Sequence, residues 1–74
     1  MTLNELSPGE RGLIIRVGGQ GPLRLRLLDM GLISKTAFTM VKRAPLGDPI
    51  VLTLRGYTLT IREEDAMQIE VIKQ

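Results

Sequence analysis

A chain of 74 residues has room for one domain, spanning 1–74, and at this size only about 60% of the unfolded surface is buried on folding. With no cysteine and no histidine, disulfides, a Cys/His zinc site and a catalytic triad of the usual type are excluded, and the 43% of apolar residues must build the core unaided. Ten basic and eight acidic side chains leave a formal charge of +2, too little to draw the chain onto nucleic acid or an anionic membrane.

Along the chain, Leu3 and Leu6 are expected to pack under an opening turn at Ser7-Pro8-Gly9-Glu10. A first strand runs from Gly12 to Val17 and is broken by the glycine loop at 18–21. That loop lacks the closing Gly-Lys-Ser/Thr of a phosphate loop, so it reads as a turn. The segment at 22–30 is two-valued: Leu23, Leu25 and Leu27 alternate as in a strand, while Leu23, Leu27 and Met30 share one helical face. Helix is the better reading, because Pro22 suits the first helical position, arginine and leucine are strong helix formers, and Gly31 stands where a helix C-cap belongs. Arg24 and Arg26, two apart on that helix, point in different directions and make no patch by themselves.

The second strand covers Thr36 to Arg43, with Ala37, Thr39 and Val41 on one face and Phe38, Met40 and Lys42 on the other. Residues 44–49, Ala-Pro-Leu-Gly-Asp-Pro, form a turn cluster. Two alternating strands follow, Ile50 to Leu54 and Tyr57 to Ile61, joined by Arg55-Gly56. Arginine is a poor first residue for a type I′ turn, so a type I turn with Gly56 as a left-handed bulge residue is expected. Glu63-Glu64-Asp65 ahead of Ala66 reads as the solvated first turn of a short helix, where negative charge complements the helix dipole. Gln68 to Ile72 closes the sheet.

Five short strands and one short α-helix predict a mainly β fold. An SH3-like barrel fits best, with an OB-like barrel as the alternative. No apolar run reaches the roughly 18 to 20 residues that span a bilayer, so the chain is not itself membrane-embedded. The absence of cysteine suits a cytoplasmic setting. Catalysis is not expected, since no group titrates near neutral pH and no hydroxyl has an identifiable base partner. Neither a cofactor nor a metal is predicted: carboxylates alone would have to converge on an ion, and Met30, Met40 and Met67 sit at apolar-pattern positions that suit core packing. Phe38 and Tyr57 are the only aromatic residues, too few for base stacking on nucleic acid or for a groove that takes PxxP peptides. What remains is a contact surface without chemistry: Arg24, Arg26 and Leu28 on the helix, the loop from Gly31 to Lys35, and the turn at Leu46. Exposed edge strands could also pair weakly between copies.

The run PLGDPI at 45–50, a hairpin closing on Gly56, IREEDA at 61–66 and QIEVI at 68–72 together resemble the C-terminal half of the FeoA family, the small ferrous iron transport protein A. LSPGERG at 6–12 and LIIRVGG at 13–19 resemble that family's opening turn and first strand, and RLLDMGL at 26–32 its short helix. The resemblance covers nearly the whole chain. It implies an SH3-like fold and a small cytoplasmic accessory protein of bacterial ferrous iron uptake. The partner it implies is the cytoplasmic, GTPase-containing part of the FeoB membrane transporter, with the chain held at the inner face of the membrane. Arg24, Arg26, Leu28, Met30, Gly31, Leu32, Ser34, Lys35 and Leu46 are the candidate contact residues. Iron-dependent repressors of the diphtheria-toxin-repressor type carry a similar domain, so a regulatory module is the alternative. Where the family usually has Pro-Gly after the helix this chain has Ser34-Lys35, a departure that bears on the tightness of that turn and on any close backbone approach there.

Overall fold

Alternation of apolar and polar side chains places five strands in one antiparallel sheet: β1 (Arg11–Val17), β2 (Ala37–Arg43), β3 (Ile50–Leu54), β4 (Tyr57–Ile61) and β5 (Ile69–Lys73). Their spatial order is β4-β3-β2-β1-β5. The computed structural model describes residues 1–74, and between the strands it places a 3₁₀ turn (Leu3–Glu5), a helix α1 (Gly21–Asp29) and a four-residue helix α2 (Glu63–Ala66). The ambiguous leucine segment is thus helical, and the acidic knuckle forms the short helix its charges favour.

One core lies against the inner face of the sheet. Ile14 and Val17 of β1, Phe38 and Met40 of β2, Ile50, Leu52 and Leu54 of β3, and Ile69 and Val71 of β5 point into it. Leu27 and Leu32 close it from the end of α1, Ala66 from α2, and Leu3 and Leu6 from beneath the opening turn. Gly12 is part of this packing, because a Cβ there would lie 2.8 Å from the Phe38 ring. Met67 departs from expectation: it is 55% exposed at the end of α2, and only Met40 among the methionines is fully buried.

Two register shifts alter which side chains face inward. In β1 the pairing jumps between Ile14 and Arg16, leaving Ile15 unpaired and exposed. In β2 it jumps between Met40 and Lys42, so Val41 is the extra residue, Lys42 turns outward opposite Val51, and Arg43 turns inward opposite Ile50. Strict alternation put Lys42 on the same face as Phe38 and Met40; the bulge reverses that. Arg43 then reaches the opening turn, donating to the backbone carbonyls of Asn4 and Leu6, the latter at 3.1 Å, and lying 3.5 Å from Glu63.

The β3–β4 hairpin also differs from expectation. Leu54 pairs directly with Tyr57, so the loop is two residues long, and both Arg55 (φ 50°) and Gly56 (φ 83°) are left-handed. This is a type I′ turn, the form whose twist matches that of the flanking strands. Arg55 accepts an unfavourable backbone because a two-residue loop leaves no room for the extra residue of a bulged turn. Its guanidinium is held by Thr36 Oγ1 at 3.2 Å.

The two outer strands end the sheet differently. The free side of β5 is covered by the start of the chain: the Val71 amide donates to the Met1 carbonyl at 2.8 Å, and Thr2 bridges to Glu70. β4 has no such cover. Because Leu54/Tyr57, Leu52/Leu59 and Ile50/Ile61 are the hydrogen-bonded pairs of this hairpin, the amides and carbonyls of Thr58 and Thr60 point away from β3 with no backbone partner.

Candidate functional site

The expected contact residues lie on α1, on the turn after it and on the β2–β3 turn. α1 ends in a complete Schellman motif: the Leu32 amide donates to the Leu27 carbonyl at 3.2 Å and the Gly31 amide to the Leu28 carbonyl at 3.0 Å. Gly31 takes φ 96°, and Leu27 and Leu32, both fully buried, make the apolar contact that accompanies this cap. A side chain at Gly31 would collide with the Tyr57 hydroxyl, which donates to the Met30 carbonyl. The hairpin is thereby seated on the helix C-terminus, where unpaired carbonyls collect.

Arg24 and Arg26 diverge, as their spacing requires. Arg24 Nε donates to the Val17 carbonyl at 3.3 Å, and Arg26 pairs with Asp65 of α2 at 3.2 Å. Leu28 and Met30 are half-buried against the core. Leu32 is fully buried and serves the core, so it offers no surface to a partner.

The turn after α1 is tight with its Ser34-Lys35 sequence. Lys35 adopts φ 69°, the left-handed geometry that glycine would take without strain, and its amide donates to the Ile14 carbonyl at 2.7 Å. Ser34 Oγ donates to the Ile15 carbonyl at 3.0 Å, so a hydroxyl fastens the turn to β1. Both side chains are exposed.

Leu46 is 96% exposed at the tip of the β2–β3 turn, the least buried large apolar residue in the chain. The same turn carries Asp48, whose carboxylate accepts from the Glu63 amide at 3.0 Å and joins the turn to α2. Sequence reading did not single out Leu25, 61% exposed on α1, although the helical reading leaves it off the apolar face of Leu23, Leu27 and Met30. It also missed Tyr57, whose 42% exposure follows from the lack of a strand beyond β4. Between α1, the end of β4 and α2 lies an open groove of about 460 Å³, lined by Arg26, Met30, Thr60, Ile61, Arg62, Glu64 and Asp65.

The carboxylates of α2 turn to three separate cations. Glu63 faces Arg43, Glu64 faces Arg62 at 3.8 Å, and Asp65 faces Arg26. They diverge instead of converging on one point. Folding thus brings Arg26 and Arg43, distant in the chain, beside the acidic run at 63–65. Across the molecule, the Glu10 carboxyl is held below the usual range by the Lys73 ammonium and the Ser7 amide, and the Glu5 carboxyl by the Thr2 amide and hydroxyl.

Comparison with known proteins adds to this geometry. The FeoA domain family model matches residues 1–73. The chain is 42% identical over 71 residues to an Fe(2+) transport protein A/Fe(2+) transporter FeoB fusion protein of Porphyromonas gingivalis, covering 96% of this chain but 8% of that protein. The solution structure of a FeoA-like protein from Clostridium acetobutylicum superposes with a TM-score of 0.91 at 34% identity, over 99% of this chain and 85% of that one. At the level of fold alone, a zinc complex of Stenotrophomonas maltophilia FeoA, described as a prokaryotic SH3 domain protein, matches with a TM-score of 0.84 at 22% identity, over 97% of this chain and 89% of that one. A manganese-dependent transcriptional repressor matches with a TM-score of 0.88 at 16% identity, over 99% of this chain and 40% of that one.

Proposed function

The chain belongs to the FeoA domain family, and from that membership we propose that it is a small accessory protein of bacterial ferrous iron uptake that docks on the cytoplasmic, GTPase-containing part of a FeoB-type transporter and modulates transport. The observation that carries this reading is the fusion in Porphyromonas gingivalis, where a segment 42% identical to this chain is part of one polypeptide with a FeoB transporter. Covalent linkage keeps two partners at high effective concentration, which favours domains that touch. No helix here is long and apolar enough to cross a membrane, which suits a domain working at the inner face of the membrane beside its partner. Ferrous iron is the transporter's cargo.

Recognition rests on shape and charge. Arg24, Arg26, Ser34 and Lys35 supply exposed polar groups, and Leu46 supplies an apolar anchor of the kind that gains from burial in a partner's pocket. The Schellman cap and the fastened 33–36 turn hold Ser34 and Lys35 on a rigid frame, so little ordering entropy is lost there on docking.

An NMR titration of the isotope-labelled chain with the cytoplasmic region of the same organism's FeoB-type transporter, loaded with GDP and then with a GTP analogue, tests the reading. Shifts at Arg24, Arg26, Met30, Gly31, Ser34, Lys35 and Leu46 are expected. An unchanged spectrum in both nucleotide states at high concentration would rule out docking on that region.

A second reading, an SH3-like regulatory module related to the C-terminal domain of iron-dependent repressors, draws on the likeness in fold to the manganese-dependent repressor. Salt-dependent retention on DNA would favour it, and flow-through at low salt would remove it.

A further inference from the structure

The uncovered side of β4 is the part of the sheet that nothing in the fold accounts for. Edge strands in soluble proteins are blunted by proline, lysine, bulges or a covering segment. Here β5 has a covering segment, while β4, Tyr57-Thr58-Leu59-Thr60-Ile61, has no proline, lysine or bulge, and four of its five residues have high strand propensity. It presents the amide and carbonyl of both Thr58 and Thr60 in a row, beside the groove of about 460 Å³.

We propose that this edge pairs with β4 of a second copy of the chain, antiparallel about a two-fold axis at Leu59. The side chains of β4 read the same in both directions: apolar, polar, apolar, polar, apolar. A two-fold at Leu59 sets Thr58 opposite Thr60 of the partner copy, and each such pair exchanges two backbone hydrogen bonds, about four in all. On the outer face threonine meets threonine. On the inner face Leu59 meets its own copy, and Tyr57 meets Ile61 beside Met30, covering the half-exposed ring.

Charge favours this register over the parallel one. It carries the cationic hairpin tip of one copy, Arg55, to the start of α2 of the other, where Glu63 and Glu64 stand, facing Arg43 and Arg62 of their own copy. A parallel arrangement would set Arg55 near Arg55. A register shifted by one residue would put threonine amides against backbone that already faces its own β3. One strand pair buries well under the roughly 1,200 Å² of a standard interface, so the dimer is weak and populated at high concentration. Pairing needs no transporter, and its failure would leave the docking reading untouched.

The experiment is sedimentation equilibrium together with amide hydrogen exchange on the full chain, from about 10 μM to about 1 mM, the range in which contacts of this size associate. The expected result is a rise in mean mass toward the dimer, with protection gained at the Thr58 and Thr60 amides and no change at Leu59. Thr60→Pro removes one outward amide without touching the β3 ladder, and should hold the chain monomeric. Thr60→Lys, which keeps the backbone intact, should weaken association at least fivefold if proline disturbs the hairpin. Arg55→Glu should weaken association further at low salt. A wild-type chain that stays monomeric at about 1 mM, a dimer that survives both Thr60 substitutions, or protection gained elsewhere than Thr58 and Thr60 would each overturn the proposal.

Discussion

One sheet ends in two unlike edges. At β5 the opening segment lies along the strand, buries Leu3 and Leu6 against the core, and is tied down by Arg43 from β2 and by the pairing of Glu10 with Lys73. At β4 nothing pairs along the strand, and a hydrogen bond from the Tyr57 hydroxyl to the Met30 carbonyl ties its start to the end of α1. The difference teaches where polar groups are satisfied. The covered edge is hydrogen-bonded within the chain at the Val71 amide and bridged at Glu70, so its residues matter for stability. The bare edge leaves two amides and two carbonyls to solvent or to a partner, so its residues should matter little to the folded monomer.

The sharpest test of that contrast is Leu3→Ala, which empties the space beneath the covering segment. Full burial of this side chain implies a loss of about 3 kcal/mol in urea unfolding, and a loss below 1 kcal/mol would mean the cover contributes little. Next comes Arg43→Met, which keeps the aliphatic stem and removes the donor to the Asn4 and Leu6 carbonyls. A cost of about 2 kcal/mol is expected, together with faster exchange of the Val71 amide. Unchanged exchange there would detach Arg43 from the covered edge.

Acid should loosen the same edge selectively. The folded carboxyls of Glu5 and Glu10 titrate below their ordinary range, so the stability they add is present above about pH 4.3 and is lost as pH falls through their lowered values. Glu10→Gln should flatten this acid limb and leave stability at pH 7 to 8 little changed apart from the Lys73 contact; an identical acid limb in the variant would assign the effect to other carboxylates. The smallest effect is expected on the other side: Thr60→Lys should shift the stability of the monomer by less than about 0.5 kcal/mol. A larger loss would show that the bare edge is less free than its geometry implies.

Much of this architecture is legible in the residues themselves. Gly31 after a leucine-rich segment marks the Schellman cap, and the alternation of β3 and β4 marks a hairpin with its inner face assigned. The misreadings share a cause. Val41 and Ile15 are bulge residues, and a bulge is set by the partner strand's register, which local alternation does not contain. Arg55 and Lys35 occupy left-handed positions that composition reserves for glycine, because loop length and bonds to β1 and Thr36 override local preference. Of the candidate contact residues, Arg24, Arg26, Ser34, Lys35 and Leu46 could be placed on the surface from the sequence. Leu32 could not, since its burial depends on the helix cap folding it back under α1.

Tyr57 is the only tyrosine in a chain without tryptophan, and its hydroxyl rests on the carbonyl that ends α1. Excited at wavelengths that phenylalanine does not absorb, the ultraviolet emission of the native protein therefore originates at the junction of helix, hairpin and bare edge. The molecule carries a built-in optical reporter, needing no label, at the edge where the proposed strand pairing would be felt.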